Sequence, residues 1–133
     1  MENQTISLLD THPALLLTIL PGFQVAKDWT EEGDPVEAIV NAHPEPLYLI
    51  VDLRQAKLTF DDLLLGASRG ARGNDPIWHS PKILGVYFIT DNRAVELVIA
   101  GLKHAVFGGA NAKAFGTVEE ALRDIEQAQA RAL

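Results

Sequence analysis

The sequence predicts an α/β fold, a single domain with a mixed central sheet. The chain has 133 residues, of which 47% are hydrophobic, and this suits one compact core but is too little for two. Leu47–Val51 and Ile83–Ile89 are continuous apolar runs, as expected of inner strands that are covered on both faces. Apolar residues recur at helical spacing between these runs. This order predicts a β-α-β unit, in which the two strands are parallel.

Further strands are predicted near both ends of the chain. Thr5–Leu9 and Ala14–Leu20 are segments of strand length, and turn-forming residues at 10–13 separate them, which is typical of a hairpin. A short strand is expected at Ala112–Phe115. Together with the two inner strands, these segments predict a mixed sheet of about five strands.

About four helices are predicted to cover this sheet. Each begins at a residue whose side chain can cap free backbone amides. The predicted caps are Asp34, Thr59, Asp91 or Asn92, and Thr117. Pro44, Gly73 and Gly108 are expected to end the first three helices. Glu120 follows Thr117 by three residues, so the last helix has the pattern of a capping box.

Charge and composition limit the classes of partner. Acidic residues outnumber basic ones 18 to 11, giving a formal charge of -7, so nucleic acid is not expected as a partner. The chain has no cysteine, which excludes disulfides and thiolate metal sites. Its first ten residues lack the pattern of a secretion signal, and no apolar run approaches the roughly 20 residues of a membrane span. A cytoplasmic protein without a membrane span is expected.

Residues that often carry catalysis are scattered along the chain. The four histidines stand far apart, and none has a metal-site spacing with a carboxylate. No serine lies on a G-x-S-x-G turn. We therefore expect no catalytic residue, no metal and no cofactor, and hence no enzyme. A weaker alternative is an acid-base site built from Asp52, Asp61 and Asp91, because the carboxyl ends of parallel strands meet at one edge.

The segment L-Y-L-I-V-D-L-R-Q-A-K-L-T-F-D-D-L-L, at residues 47–64, resembles the central strand, turn and helix of STAS domains of the anti-sigma factor antagonist type. The predicted order of strands and helices is similar to the SpoIIAA-like branch of that superfamily over about residues 14–130. In this family a serine or threonine at the start of the helix is phosphorylated, which breaks contact with a partner kinase. Asp62 or Asp61 matches that position here, Thr59 is the nearest hydroxyl, and Leu63 replaces the usual glycine.

The resemblance implies a bacterial, non-enzymatic signalling module that binds a protein partner. The expected binding surface lies at the start of the middle helix. Its residues are Thr59, Phe60, Asp61, Asp62 and Leu65. Asp61 and Asp62 would supply permanent negative charge where relatives place a reversible phosphate, so binding is expected to be constitutive.

Other roles stay open at this point. A carrier or sensor of an apolar, lipid-like small molecule is the alternative function, because domains of the SpoIIAA-like branch are suspected of holding such ligands. A homodimer is also left open. Ile77 and Trp78 are large apolar residues of a predicted loop, and they are as compatible with an interface as with an ordinary surface position.

Overall fold

In a computed structural model the chain forms a five-stranded mixed sheet, and the described residues are 4–21, 35–56, 82–93, 96–97 and 112–132. The strands are β1 (Gln4–Leu8), β2 (Ala14–Ile19), β3 (Leu47–Asp52), β4 (Ile83–Ile89) and β5 (Ala112–Phe115). The helices bounded within these residues are α1 (Pro35–Ala42) and α2 (Val118–Ala132).

The order of the strands in the sheet is the same as their order along the chain. β1 pairs with β2 in antiparallel fashion, and β2, β3, β4 and β5 are parallel to one another. The predicted hairpin, the parallel inner strands and the short strand β5 are therefore confirmed, with boundaries that differ by one residue at most. The four parallel strands end on the same side, which we call the carboxyl edge, and they begin at the amino edge.

Two helices are found in the described part of the chain, fewer than the four that the sequence predicts. The first and last predicted helices are confirmed as α1 and α2. The helix predicted from Thr59 to Gly73 lies outside the described residues. Of the third, only residues 93, 96 and 97 are described, and all are helical. Glu96 donates its N–H to the Asn92 carbonyl over 3.1 Å, which is the bond expected if Asn92 caps this helix. Neither α1 nor α2 has the length and apolarity of a membrane span.

One face of the sheet packs against α1. Its buried side chains come from β2, β3 and β4, and Val40 of α1, which is 2% exposed, covers them. The strand residues of this cluster are Leu15, Leu17, Ile19, Leu49, Val51, Val86 and Phe88. Alternate residues of the same strands point to the other face.

The other face packs against α2. Ala121 and Ile125 of this helix are fully buried, and they lie on strand residues that include two tyrosines. These strand residues are Ala14, Tyr48, Ile50, Tyr87 and Ile89. Because β3 and β4 contribute to both clusters, they are covered on both faces, as their continuous apolar sequences predict.

The start of α2 is fixed by Thr117. Glu120 donates its N–H to the Thr117 hydroxyl oxygen over 3.2 Å, and that hydroxyl donates to Oε1 of Glu120 over the same distance. Ala121 donates its N–H to the Thr117 carbonyl. The predicted cap is confirmed, although Glu120 reaches back to the threonine hydroxyl rather than to its N–H.

Candidate functional site

The binding surface predicted from the sequence lies outside the described residues. This holds for all five of its members, Thr59, Phe60, Asp61, Asp62 and Leu65, and also for Ile77 and Trp78. The described chain stops before this surface at Ala56, which follows β3 at the carboxyl edge. The assignment of these residues to a partner surface therefore stays a prediction, and the site has to be built from the residues around it.

Asp52 and Arg54 form a clamp at the end of β3. Both the backbone N–H and Nε of Arg54 donate to Oδ1 of Asp52 over 3.0 Å, and Nη2 donates to Oδ2 over 2.8 Å. Asp52 is 6% exposed, so its carboxylate is almost enclosed. Burial alone would raise the pKa of Asp52, but the hydrogen bonds and the charge of Arg54 outweigh it and lower that pKa. The aspartate is therefore held as an anion.

Two further carboxylates act on Arg54. Its pKa is raised first by the hydrogen bonds to Asp52, and then by the negative charges of Asp52, Glu119 and Asp91. Asp91 follows β4, and Glu119 lies in the first turn of α2. We call these four residues, Asp52, Arg54, Asp91 and Glu119, the Arg54 cluster. Because the cluster has three carboxylates and one guanidinium, it carries excess negative charge.

Thr90, directly after β4, connects the end of this strand to β5 and to the segment that follows. It is 2% exposed, it donates its N–H to the Phe115 carbonyl over 2.9 Å, and its hydroxyl accepts the N–H of Asn92 over 3.1 Å. Leu97 in the helical segment that follows is 69% exposed. The carboxyl edge also carries the exposed carboxylates of Asp91 and Glu119.

A second group of polar side chains lies between α2 and the sheet. The Tyr87 hydroxyl donates to Oδ2 of Asp124 over 2.8 Å, and Nζ of Lys113 donates to the same oxygen over 2.9 Å. Burial raises the pKa of Tyr87, and the bond to Asp124 raises it further. For Asp124, burial opposes the charge, but the bonds from Lys113 and Tyr87 outweigh it and lower the pKa. Tyr87 is therefore neutral and Asp124 is charged. Their bond connects α2 to β4, and the bond from Lys113 connects α2 to β5.

His12 links the β1–β2 turn to α2. Its Nε2 lies 2.9 Å from Oε1 of Glu126, and its Nδ1 lies 2.8 Å from the Thr11 hydroxyl. Both ring nitrogens therefore have partners in the fold, and His12 is only 13% exposed in its side chain. His43 also contacts its own loop, at Glu45. Within the described ranges, no three potential ligands come together as a metal site.

Sequence reasoning placed Asp52 and Asp91 at one edge but missed Arg54, which binds Asp52 there. Arg54 lies two positions after Asp52, and an aspartate often accepts a bond from the backbone N–H two residues on, so this spacing was the available signal. The Tyr87, Lys113 and Asp124 group left no comparable signal, because its members come from three separate elements. Asp61, the third member of the acid-base alternative, lies outside the described residues.

Comparison with solved structures identifies the fold of the chain. No family model matches the chain, and no curated protein sequence matches it. Among solved structures, it is similar to an uncharacterised protein of the DUF3478 family from Shewanella loihica PV-4, which is described as having a SpoIIAA-like fold. The two share 14% sequence identity and superpose with a TM-score of 0.58, over 92% of this chain and 91% of the other. The chain therefore has the SpoIIAA-like fold that its sequence predicts.

Proposed function

We propose that this chain is a non-enzymatic regulatory module that binds a protein partner at the carboxyl edge of its sheet. The observation that carries the proposal is the Arg54 cluster, in which Asp52 binds Arg54 directly and the charges of Asp91 and Glu119 act on the same guanidinium. In α/β sheets this edge is the usual place for a binding site. The sequence predicts that the surface with Asp61 and Asp62 begins after β3, and these two residues would add negative charge of their own.

The partner surface is expected to be basic. Charge complementarity steers association and selects partners, and the chain carries a formal charge of -7 in addition to the local excess at the carboxyl edge. Because the negative charge of Asp61 and Asp62 is permanent, unlike that of a phosphate group that is added and removed, the interaction is constitutive rather than switched. Signalling in a bacterial cytoplasm is the setting that the resemblance to anti-sigma factor antagonists supplies.

The state of Asp52 supports a binding role over acid-base catalysis. A catalytic base needs a lone pair that reaches a substrate, and its pKa lies near the working pH. Both carboxylate oxygens of Asp52 accept bonds from Arg54, and its pKa is lowered instead. We expect the purified protein to hydrolyse neither nucleotides nor esters, with or without divalent metal. Turnover that survives repurification and disappears in Asp52→Ala or Asp61→Asn would contradict this.

Charge reversal tests the proposed surface. Asp61→Lys combined with Asp62→Lys should weaken the capture of partners from the native cell extract and reduce the salt dependence of what remains. The matched control is Asp10→Lys combined with Glu45→Lys, which changes the net charge equally at exposed residues of the amino edge. The control should keep every partner. If the two double variants capture the same proteins at equal strength, the surface is wrongly assigned.

Native mass spectrometry separates this proposal from the alternative function. A carrier of an apolar molecule would retain extra mass of lipid-like size after gentle purification, and that mass would disappear on denaturation. A protein-binding module should give the chain mass, or an integer multiple of it. Retained lipid-like mass, together with unchanged capture by the Asp61→Lys and Asp62→Lys variant, would overturn the regulatory assignment in favour of the carrier.

A further inference from the structure

Within the described part of the chain, β1 is an edge strand that pairs only with β2. Edge strands present backbone groups that other chains can pair with, and natural sheets usually protect them with charged residues, proline or very short length. The opposite edge strand, β5, has such protection, because it has four residues and includes Lys113. β1 has the sequence Q-T-I-S-L, without charge or proline. Leu8 at its end is 46% exposed.

The hydrogen-bond pattern of the hairpin shows which backbone groups of β1 face outward. Leu9 donates its N–H to the Ala14 carbonyl over 3.0 Å, so these two residues form a hydrogen-bonded pair. Opposed pairs in an antiparallel ladder alternate between hydrogen-bonded and non-hydrogen-bonded. Thr5 and Ser7 therefore direct their backbone groups toward β2. The N–H and C=O groups of the intervening residues, Gln4, Ile6 and Leu8, point away from the sheet.

From this pattern we propose that β1 is the contact surface for a second copy of the chain. The β1 strands of the two copies would pair with each other in antiparallel fashion. A two-fold axis through Ile6 pairs all five residues, with Ile6 opposite Ile6, Gln4 opposite Leu8, and Thr5 opposite Ser7. The outward-facing residues then form three hydrogen-bonded pairs, each of which exchanges two backbone bonds. The two sheets become one continuous sheet.

The side chains of β1 are also compatible with its pairing to a second copy of the chain. Thr5 and Ser7 share one face, where hydroxyl pairs across strands are favourable, and the Ile6 pair lies on the other face. No like charges oppose each other along the strand, although the chain as a whole is strongly acidic. The five residues of β1 therefore add no charge repulsion of their own when two copies approach. One five-residue strand buries little area, so the dimer should be reversible and depend on concentration.

Substitution of Leu8 tests the surface. The unmodified protein should show a mass that rises with concentration toward twice that of the chain in sedimentation equilibrium. Leu8→Lys should weaken association by about tenfold or more, because charged residues protect strand edges. The control Leu97→Lys places the same charge on another exposed leucine, away from β1, and should associate like the unmodified protein. A monomer at every concentration, or a Leu8→Lys variant that associates normally, overturns the proposal.

A compensating change tests the register. Gln4 of one copy lies opposite Leu8 of the other, so adding Gln4→Glu to Leu8→Lys creates two intermolecular ion pairs and should restore most of the association. Within one copy these two positions are four residues apart along an extended strand, which is too far for an ion pair. If Gln4→Glu fails to restore association of a folded Leu8→Lys variant, the antiparallel register through Ile6 is wrong.

Amide hydrogen exchange tests the same surface without any substitution. In dilute protein, the amides of Thr5 and Ser7 should be protected, while those of Ile6 and Leu8 exchange quickly. At high concentration, the amides of Ile6 and Leu8 should become protected as they donate to the second copy. Exchange at Ile6 and Leu8 that does not change with concentration overturns the proposal, whatever the substituted proteins do.

Discussion

Replacing Tyr87 by phenylalanine should measure how strongly α2 is fastened to the sheet. The Tyr87 hydroxyl, in a residue that is 4% exposed, donates to Asp124, which also accepts a bond from Lys113. A hydrogen bond to a charged group contributes about 1.5–3 kcal/mol. Asp124 keeps Lys113 in the variant, and its side chain is 19% exposed, so water can replace part of the lost bond. We expect Tyr87→Phe to lower the free energy of unfolding by about 1–2 kcal/mol.

The same hydroxyl should make stability sensitive to alkaline pH. The pKa of Tyr87 is raised in the folded state by burial and by its bond to Asp124, whereas the unfolded chain ionises at the ordinary value near 10. Its stabilising contribution is therefore complete below about pH 10 and is lost as the pH rises toward the folded pKa. The loss approaches, at most, about 1.4 kcal/mol per pH unit for this one proton.

Urea unfolding followed by far-UV circular dichroism, at a series of pH values from about 7 to 11, measures both effects. In Tyr87→Phe the extra alkaline loss should be absent, because no hydroxyl remains to titrate. Tyr48→Phe is the matched control, since it removes the other buried phenol from the same face and leaves the bond between Tyr87 and Asp124 in place. The reasoning fails if Tyr87→Phe is as stable as the unmodified protein and loses stability equally above pH 10.

Three further predictions concern other contacts of the fold. Ile125→Ala removes a fully buried side chain from α2 and should cost about 2–5 kcal/mol in a urea titration, and a loss below about 1 kcal/mol would mean that α2 packs differently. Thr117→Ala removes the cap of α2 and should cost about 0.5–2 kcal/mol by the same measurement, whereas no loss would mean that the helix begins elsewhere. The lowered pKa of Asp52 implies a contribution that is present above the unfolded pKa near 3.9 and is lost as the pH falls through the folded value. Asp52→Asn should therefore flatten the acid side of the stability profile, and an unchanged acid side would show that the clamp with Arg54 adds no stability.

The inner strands were predictable because the pattern of apolar residues along the sequence indicates which faces of a strand are buried. β3 and β4 are apolar at nearly every position, and only strands with two covered faces need such sequences. α2 was predictable for a different reason, since the hydroxyl of Thr117 and the side chain of Glu120 act within four residues of each other. Both the apolar runs and the helix cap involve residues that are close together in the sequence, so they can be recognised in a single sequence.

The carboxyl edge was only partly predictable. Topology alone brings Asp52 and Asp91 to one edge, and this was foreseen. That Arg54 would turn back onto Asp52 depends on the turn after β3, and the effect of the Glu119 charge on Arg54 depends on how α2 lies on the sheet. The bond between Tyr87 and Asp124 joins residues 37 positions apart. Such contacts follow from tertiary packing, which hydrophobic spacing does not encode.

The match between strand order and chain order affects how the protein assembles on the ribosome. Each of the described strands after β1 pairs with the strand made just before it, so the sheet can grow at one edge as the chain emerges. α2 follows all five strands, and it supplies the cover for Tyr48, Ile50, Tyr87 and Ile89. Until that helix has been synthesised, these four side chains lack the cover that α2 gives them in the folded protein, and exposed apolar surface of this kind makes an incomplete chain prone to aggregate.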